Sequence, residues 1–180
     1  MLIYRCIGQS ESNHIYSDFS VCQFSSCGTC NRIDCTLHAN PHRQVAQATD
    51  GFYVFSRAAV KTFNTIFIAE EDQVILSSSH RSRYTVAEWK KTSRDRDIRI
   101  DSLTLLEDVV AKVNHRYTRK DEILGQIVRR GLQTEEIVII DDDKSLNELP
   151  QVLKSRLVLT SPYSGLTEKN LHILKNILNR

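Results

Sequence analysis

Three aspartates in a row close the apolar run of "EEIVIIDDDKSLNELP", Glu135 to Pro150. Four consecutive apolar residues before them read as a buried strand. Driving such a strand into adjacent like charges has two readings. Either the strand reaches the surface there, or carboxylates gather at one edge to hold a hard cation such as magnesium. Two other segments bear on the choice. "QVILSSSHR" is a second apolar run, ending in Ser77, Ser78 and Ser79, then His80 and Arg81. Arg119 and Lys120 open "TRKDEILGQIVRRGL", just ahead of the aspartates. Hydroxyl, cation and carboxylate pair together suit a phosphoryl group bound with magnesium. The acid oxygens hold the metal, the hydroxyl donates to a phosphate oxygen, and the cation offsets its charge. Ser77, Arg119 or Lys120, and Asp141 with Asp142 are thus the candidate site. Singly, each has a plainer reading: a serine after a strand is turn chemistry, and an Arg-Lys pair is a solvated helix face.

A second constellation lies in "CQFSSCGTCNRIDCTLH". Cys27 and Cys30 form a C-x-x-C, and Cys35 and His38 repeat its spacing, with Cys22 able to displace one member. Four soft ligands within twelve residues suit a tetrahedral zinc site. Zinc would order a segment with too few apolar residues to fold alone. The alternative is free thiols in a polar insertion. A redox pair is disfavoured, because no strand presents Cys27 at a helix start.

The elements that must position these residues follow from periodicity. "FSRAAVKTFNTIFIAEED" predicts a helix with Ser56 as N-cap and Ala59, Val60, Phe63, Ile66 and Phe67 at helical spacing. "YTVAEWKK" predicts a helix with Val86 and Trp89 on one face, while "DSLTLLEDVVAKV" is ambiguous. In "TRKDEILGQIVRRGL", Ile123, Ile127 and Val128 are expected inward and Gly131 at the C-terminal cap. "EIVII" and "SRLVLT" are strands, and "GLTEKNLHILKNIL" is a closing helix capped by Thr167 and carrying Leu171, Leu174 and Leu178. "LIYRCIG" is the natural first strand. Apolar strands alternating with helices predict an α/β fold, a doubly wound parallel sheet covered on both faces. Ligands of such sheets sit beyond the carboxyl ends of the strands, where Ser77 and Asp141 would lie.

All five cysteines precede Gly51, so one domain over residues 1–180 is expected, with a Cys/His-rich insertion or cap over 9–50. Composition, with 41% hydrophobic and 26% charged residues, fits a globular protein. A formal net charge of +2 argues against a mainly electrostatic partner. No stretch reaches the length of a membrane span, and the N-terminus turns polar by Gly8, too early for a secretory signal. The expected location is cytoplasmic, with a bacterial effector exported without a cleaved signal as the alternative, and the cysteines are expected as reduced thiols or metal ligands. From Arg81 to Arg99 seven cations, with three acids among them, suggest a nucleic-acid surface or, on the plainer reading, a solvated one.

From about Phe52 to Ile177 the chain resembles the haloacid-dehalogenase-like (HAD) hydrolases, more narrowly the branch found in bacterial Swiss army knife RNA-repair proteins. The resemblance rests on "VILSSSHR", "RKDEI", "IVIIDDD" and "RLVLTSPYSGLT" in that order. It implies that Ser77 is the phosphate-binding hydroxyl, Arg119 or Lys120 the cation, and Asp141 and Asp142 the magnesium-binding acids. His80 stands where tryptophan is usual.

The first motif, which in this family supplies an aspartate nucleophile and a second acid, departs from the pattern. Laid on "LIYRCIGQ" it puts Arg5 and Ile7 at the acids, and laid on "RIDCTLHAN" it puts Arg32 before Asp34. "YSDFSV" offers Asp18 as nucleophile but Ser20 as its partner. An arginine cannot form an aspartyl-phosphate, though its charge attracts anions. The first reading is therefore a degenerate domain, a pseudoenzyme binding a phosphorylated small molecule or a nucleic-acid end. An active magnesium-dependent phosphohydrolase using Asp18 is the second. A zinc-stabilised module that binds a protein partner is the third.

Overall fold

The computed structural model describes residues 2–5, 50, 54–77, 81, 84–106, 118–161 and 164–180, the first four as backbone alone. Five strands form one sheet, β1 (Leu2–Arg5), β2 (Asp72–Leu76), β3 (Leu103–Leu105), β4 (Ile137–Asp141) and β5 (Leu157–Leu159). Among the described residues five α-helices accompany them: α1 (Arg57–Ile66), α2 (Val86–Arg94), α3 (Arg119–Arg130), α4 (Gln151–Lys154) and α5 (Glu168–Leu178). Strand order is β3-β2-β1-β4-β5.

Period-two alternation explains how apolar strands serve both faces. Val138 and Ile140 of β4 join Val74 and Leu76 of β2 in a core with Phe63 and Ile66 of α1, Trp89 of α2 and Leu174 and Leu178 of α5. Ile137 and Ile139, with Ile75, turn the other way and pack with Ile123 of α3 and Leu153 of α4. Each fully buried side chain of this size contributes about 1.5–3 kcal/mol relative to exposure. The α/β architecture with both faces covered matches the expectation.

Strand direction departs from it. β2 and β3 pair in parallel, as do β4 and β5, but the central β1 is antiparallel to both β2 and β4. The sheet is mixed, not wholly parallel. Burial on both faces demands apolar residues in a strand without specifying its direction, because either direction satisfies the ladder hydrogen bonds. The register carries a consequence. Leu2 pairs with Ile75 and Ile139, near the carboxyl ends of the flanking strands, while Arg5 pairs with Asp72 at the opposite edge.

The ambiguous "DSLTLLEDVVAKV" contributes the short strand Leu103–Leu105. Ser56 stands at the N-cap of α1, without a side-chain capping bond. Gly131 caps α3 in the left-handed region at φ 60°, where a Cβ is disfavoured. Val128 of α3, expected inward, is 80% exposed. It lies on the opposite side of the helix from Ile123, whose burial defines the inward face. The Cys/His-rich stretch 9–49 lies outside the described residues, and Gly51 with it. None of the described helices is long and apolar enough to cross a membrane.

Candidate functional site

Ser77 is the first residue beyond β2, and Asp141 the last of β4. Both belong to strands flanking β1, so their backbones stand two strand spacings apart, roughly 9–10 Å. Arg119 bridges them. It is the first residue of α3, set by a capping box in which Thr118 Oγ1 accepts from the Asp121 N–H and Asp121 accepts from the Thr118 N–H at 2.8 Å. Helical side chains lean toward the helix N-terminus, which carries the guanidinium back over the strand ends.

The guanidinium is held on three sides. Nη2 donates to Ser77 Oγ, Nε and Nη2 each lie 3.4 Å from Asp141 Oδ2, and Nη1 donates to Glu122 Oε2. Arg119 is 4% exposed, Ser77 3% and Asp141 fully buried. Burial pulls the guanidinium below its ordinary pKa, against the raising influence of Asp141 and Glu122, and Arg81 nearby adds to the lowering. A cation at a helix N-terminus also opposes the helix dipole. The acids Asp121 and Glu122 in the same turn offset that. Arginine stays protonated in proteins, so the site keeps a fixed positive charge within hydrogen-bond reach of a hydroxyl. That pairing of donors is what a phosphate oxygen requires.

The three aspartates divide their labour. Asp141 Oδ1 accepts the backbone N–H groups of Asp142 at 2.9 Å and Asp143 at 3.0 Å, and its carbonyl accepts from Thr160 N at 2.6 Å. Asp143 caps the following 3-10 turn, Lys144–Glu148, by accepting from Ser145 N at 2.8 Å. Asp142, 5% exposed, lies between them at the rim. A divalent ion here would share Asp141 with Arg119, which makes Asp142 the carboxylate better suited to a metal. Among the described residues no group of three His, Cys, Asp or Glu side chains converges to hold a metal.

Other expected residues are placed as follows. Lys120, the alternative to Arg119, ion-pairs with Glu148 at 2.7 Å and sits outside the bridge. Asp18 and the proposed zinc ligands Cys22, Cys27, Cys30, Cys35 and His38 lie outside the described residues, as does His80. Arg5, one placement of the first-motif nucleophile, ends β1 at the edge away from Ser77. The basic stretch is largely paired within the fold: Lys91 with Asp95 at 2.5 Å, Arg99 with Asp101 at 2.9 Å, and the buried Arg96 with Asp50 at 2.8 Å. Trp89 is core, as its helical phase with Val86 indicates. Glu122 was not singled out by the sequence, although its position three residues after Arg119 is the i,i+3 spacing of a helical ion pair.

Comparison with known proteins places the chain in a family. Residues 33–171, more than half of the chain, match the family model described as the HAD domain in Swiss Army Knife RNA repair proteins. No curated protein and no solved structure matches the chain. On the strength of that match, over a span that contains Ser77, Arg119, Asp141 and Asp142, the chain belongs to the HAD domains of Swiss Army Knife RNA repair proteins.

Proposed function

We propose that this chain is a phosphate-recognising HAD domain that binds a phosphorylated nucleic-acid end and turns it over poorly or not at all. Family membership associates it with phosphoester chemistry and with phosphorylated substrates or RNA ends. The observation that carries the reading is the buried Arg119 bridge between Ser77 and Asp141. A hydroxyl and a fork-shaped cation stand side by side there, the donor types that phosphate oxygens take. Weak turnover is supported by the direction of β1. A strand flanked by Ser77 and Asp141 is the natural carrier of a nucleophile, but this one sends Arg5 to the opposite edge.

HAD domains generally use magnesium, and the donor set fits in kind, since carboxylate oxygens are the ligands magnesium prefers. Asp142, with Asp141, would hold it. When bound, the ion would neutralise charge on the phosphoryl oxygens. The chain's own residues do the rest: Ser77 donates to the anion, Arg119 balances its charge, and Asp141 with Glu122 fixes the guanidinium's plane. The active-hydrolase reading shares this site and differs only in requiring a nucleophile, with Asp18 the first candidate.

The experiment is hydrolysis of an aryl phosphate and of 3′- and 5′-phosphorylated oligonucleotides, with magnesium and with chelator, beside Asp142→Asn. The expected result is no magnesium-dependent turnover above the variant, with binding of the phosphorylated oligonucleotides retained by wild type. Turnover that disappears in Asp142→Asn would overturn the pseudoenzyme reading in favour of the hydrolase.

A further inference from the structure

Glu122 has two carboxylate oxygens, and they face two different cations. Oε2 accepts from Arg119 Nη1, while Oε1 lies 3.9 Å from Arg81 Nη2. At that distance the second contact is electrostatic attraction and not a hydrogen bond. Arg81 is fixed from its other end as well. Its carbonyl accepts from Nε1 of the buried Trp89 at 3.3 Å, and Tyr84 packs edge-on against that indole with ring centroids 5.1 Å apart. The fold therefore pins the backbone of Arg81 to the core and steers its side chain toward the acid that holds Arg119.

Bringing two guanidinium groups around one carboxylate works against Coulomb repulsion. Two guanidinium groups held near one another can together meet two negative charges, each by charge-assisted hydrogen bonds. The two cations also differ in depth. The Arg119 side chain is 1% exposed and tied to Ser77 and Asp141, whereas that of Arg81 is 14% exposed, nearer solvent. An isolated phosphate is met fully by the inner group. A nucleic-acid strand presents a second phosphate one nucleotide behind its terminal one.

We propose that Arg81 is a specificity-determining residue that meets the phosphodiester next to the terminal phosphate of a nucleic-acid strand, and that Glu122 is the positioning residue that sets it beside Arg119. The inference rests on the phosphate-binding reading above and names its ligand class more closely. Inorganic phosphate would engage Ser77 and Arg119 alone. A phosphorylated strand would engage Arg81 in addition.

The test measures binding of a labelled single-stranded RNA carrying a terminal phosphate, and its displacement by inorganic phosphate. Wild type is compared with Arg81→Gln and Arg81→Lys, and melting temperatures show whether each variant is folded. Arg81→Gln is expected to weaken the RNA about tenfold, the loss of one charge-assisted contact. Its salt dependence should fall by about one ion, while inorganic phosphate is weakened far less than the RNA. Arg81→Lys, which keeps the charge, should restore the salt dependence. Equal losses for RNA and inorganic phosphate would reduce Arg81 to a brace for Arg119 and overturn the proposal. So would a folded Arg81→Gln that binds RNA as wild type does, or a wild type that binds inorganic phosphate but not the RNA. A wild type that binds neither ligand would overturn the phosphate-binding reading itself, and this inference with it.

Discussion

Asp141 is fully buried, and Arg119 is the reason its carboxyl group is tolerated there. Its Oδ1 accepts two backbone N–H groups, and its Oδ2 faces the guanidinium. Removing one partner of a buried ion pair strands the other charge, at a cost of about 3–5 kcal/mol. Replacing both with neutral groups of similar shape costs far less. Arg119→Met is therefore expected to lower the unfolding free energy by about 3–5 kcal/mol, and Asp141→Asn to do so by a comparable amount. The double variant should lose well under the sum, as read from denaturant unfolding in a double-mutant cycle. An additive double variant would mean that the two groups do not sense each other. On the proposed function the same pair is where function and stability meet, since the cation beside Asp141 is also the proposed phosphate-binding group.

Among the elements, the capping boxes set where each helix begins and so which side chain is delivered. Thr118 and Asp121 make Arg119 the first residue of α3; one residue of slippage would turn Arg119 by about a hundred degrees, away from Ser77. At α2, Thr85 and Glu88 form the same device. The Glu88 carboxyl is held below its usual pKa, first by the Thr85 backbone N–H and then by the Thr85 side chain. A group whose pKa is depressed on folding stabilises the fold above its unfolded value, and the stabilisation fades as pH falls through the folded value. Melting temperature should therefore decline below about pH 4.5, and Glu88→Gln, which caps without titrating, should show a shallower acid limb. An unchanged acid limb would show that the box contributes nothing through Glu88's charge.

For the molecule as a whole, Arg180 ties helix α5 to the sheet. Arg180 donates to the buried Asp72 at the start of β2, Nη1 to Oδ2 at 2.6 Å, and also to the carbonyl of Ile66 at the end of α1. Asp72 additionally accepts the Ile68 N–H at 2.8 Å. Helix α5 and helix α1 pack side by side over one sheet face, so this clamp ties both to β2. Arg180→Ala should lower the denaturant midpoint by the equivalent of about 3 kcal/mol with the m-value unchanged. A midpoint equal to wild type would show that Asp72 finds water or another partner.

Most of the elements, and the residues that gather at one sheet edge, are readable from residue order alone. Helices α1, α2, α3 and α5 and strands β2, β4 and β5 were legible because apolar period and capping residues are local properties, written within a dozen residues. Ser77, Asp141 and Asp142 were legible as residues that follow apolar runs. They share one sheet edge because β2 and β4 point the same way, whereas Arg5 ends the antiparallel β1 at the other edge. Tertiary structure decided the remainder. It chose Arg119 over Lys120, because neighbouring helical residues point about a hundred degrees apart and only one could span β2 and β4. It also gave Asp143 to a turn and Asp141 to an arginine, although the three acids are identical in sequence. The direction of β1 and the meeting of Arg81 with Glu122 depend on contacts between residues far apart in the chain. Local pattern specifies which face of an element is buried, but which distant partner meets it is settled only by packing the whole.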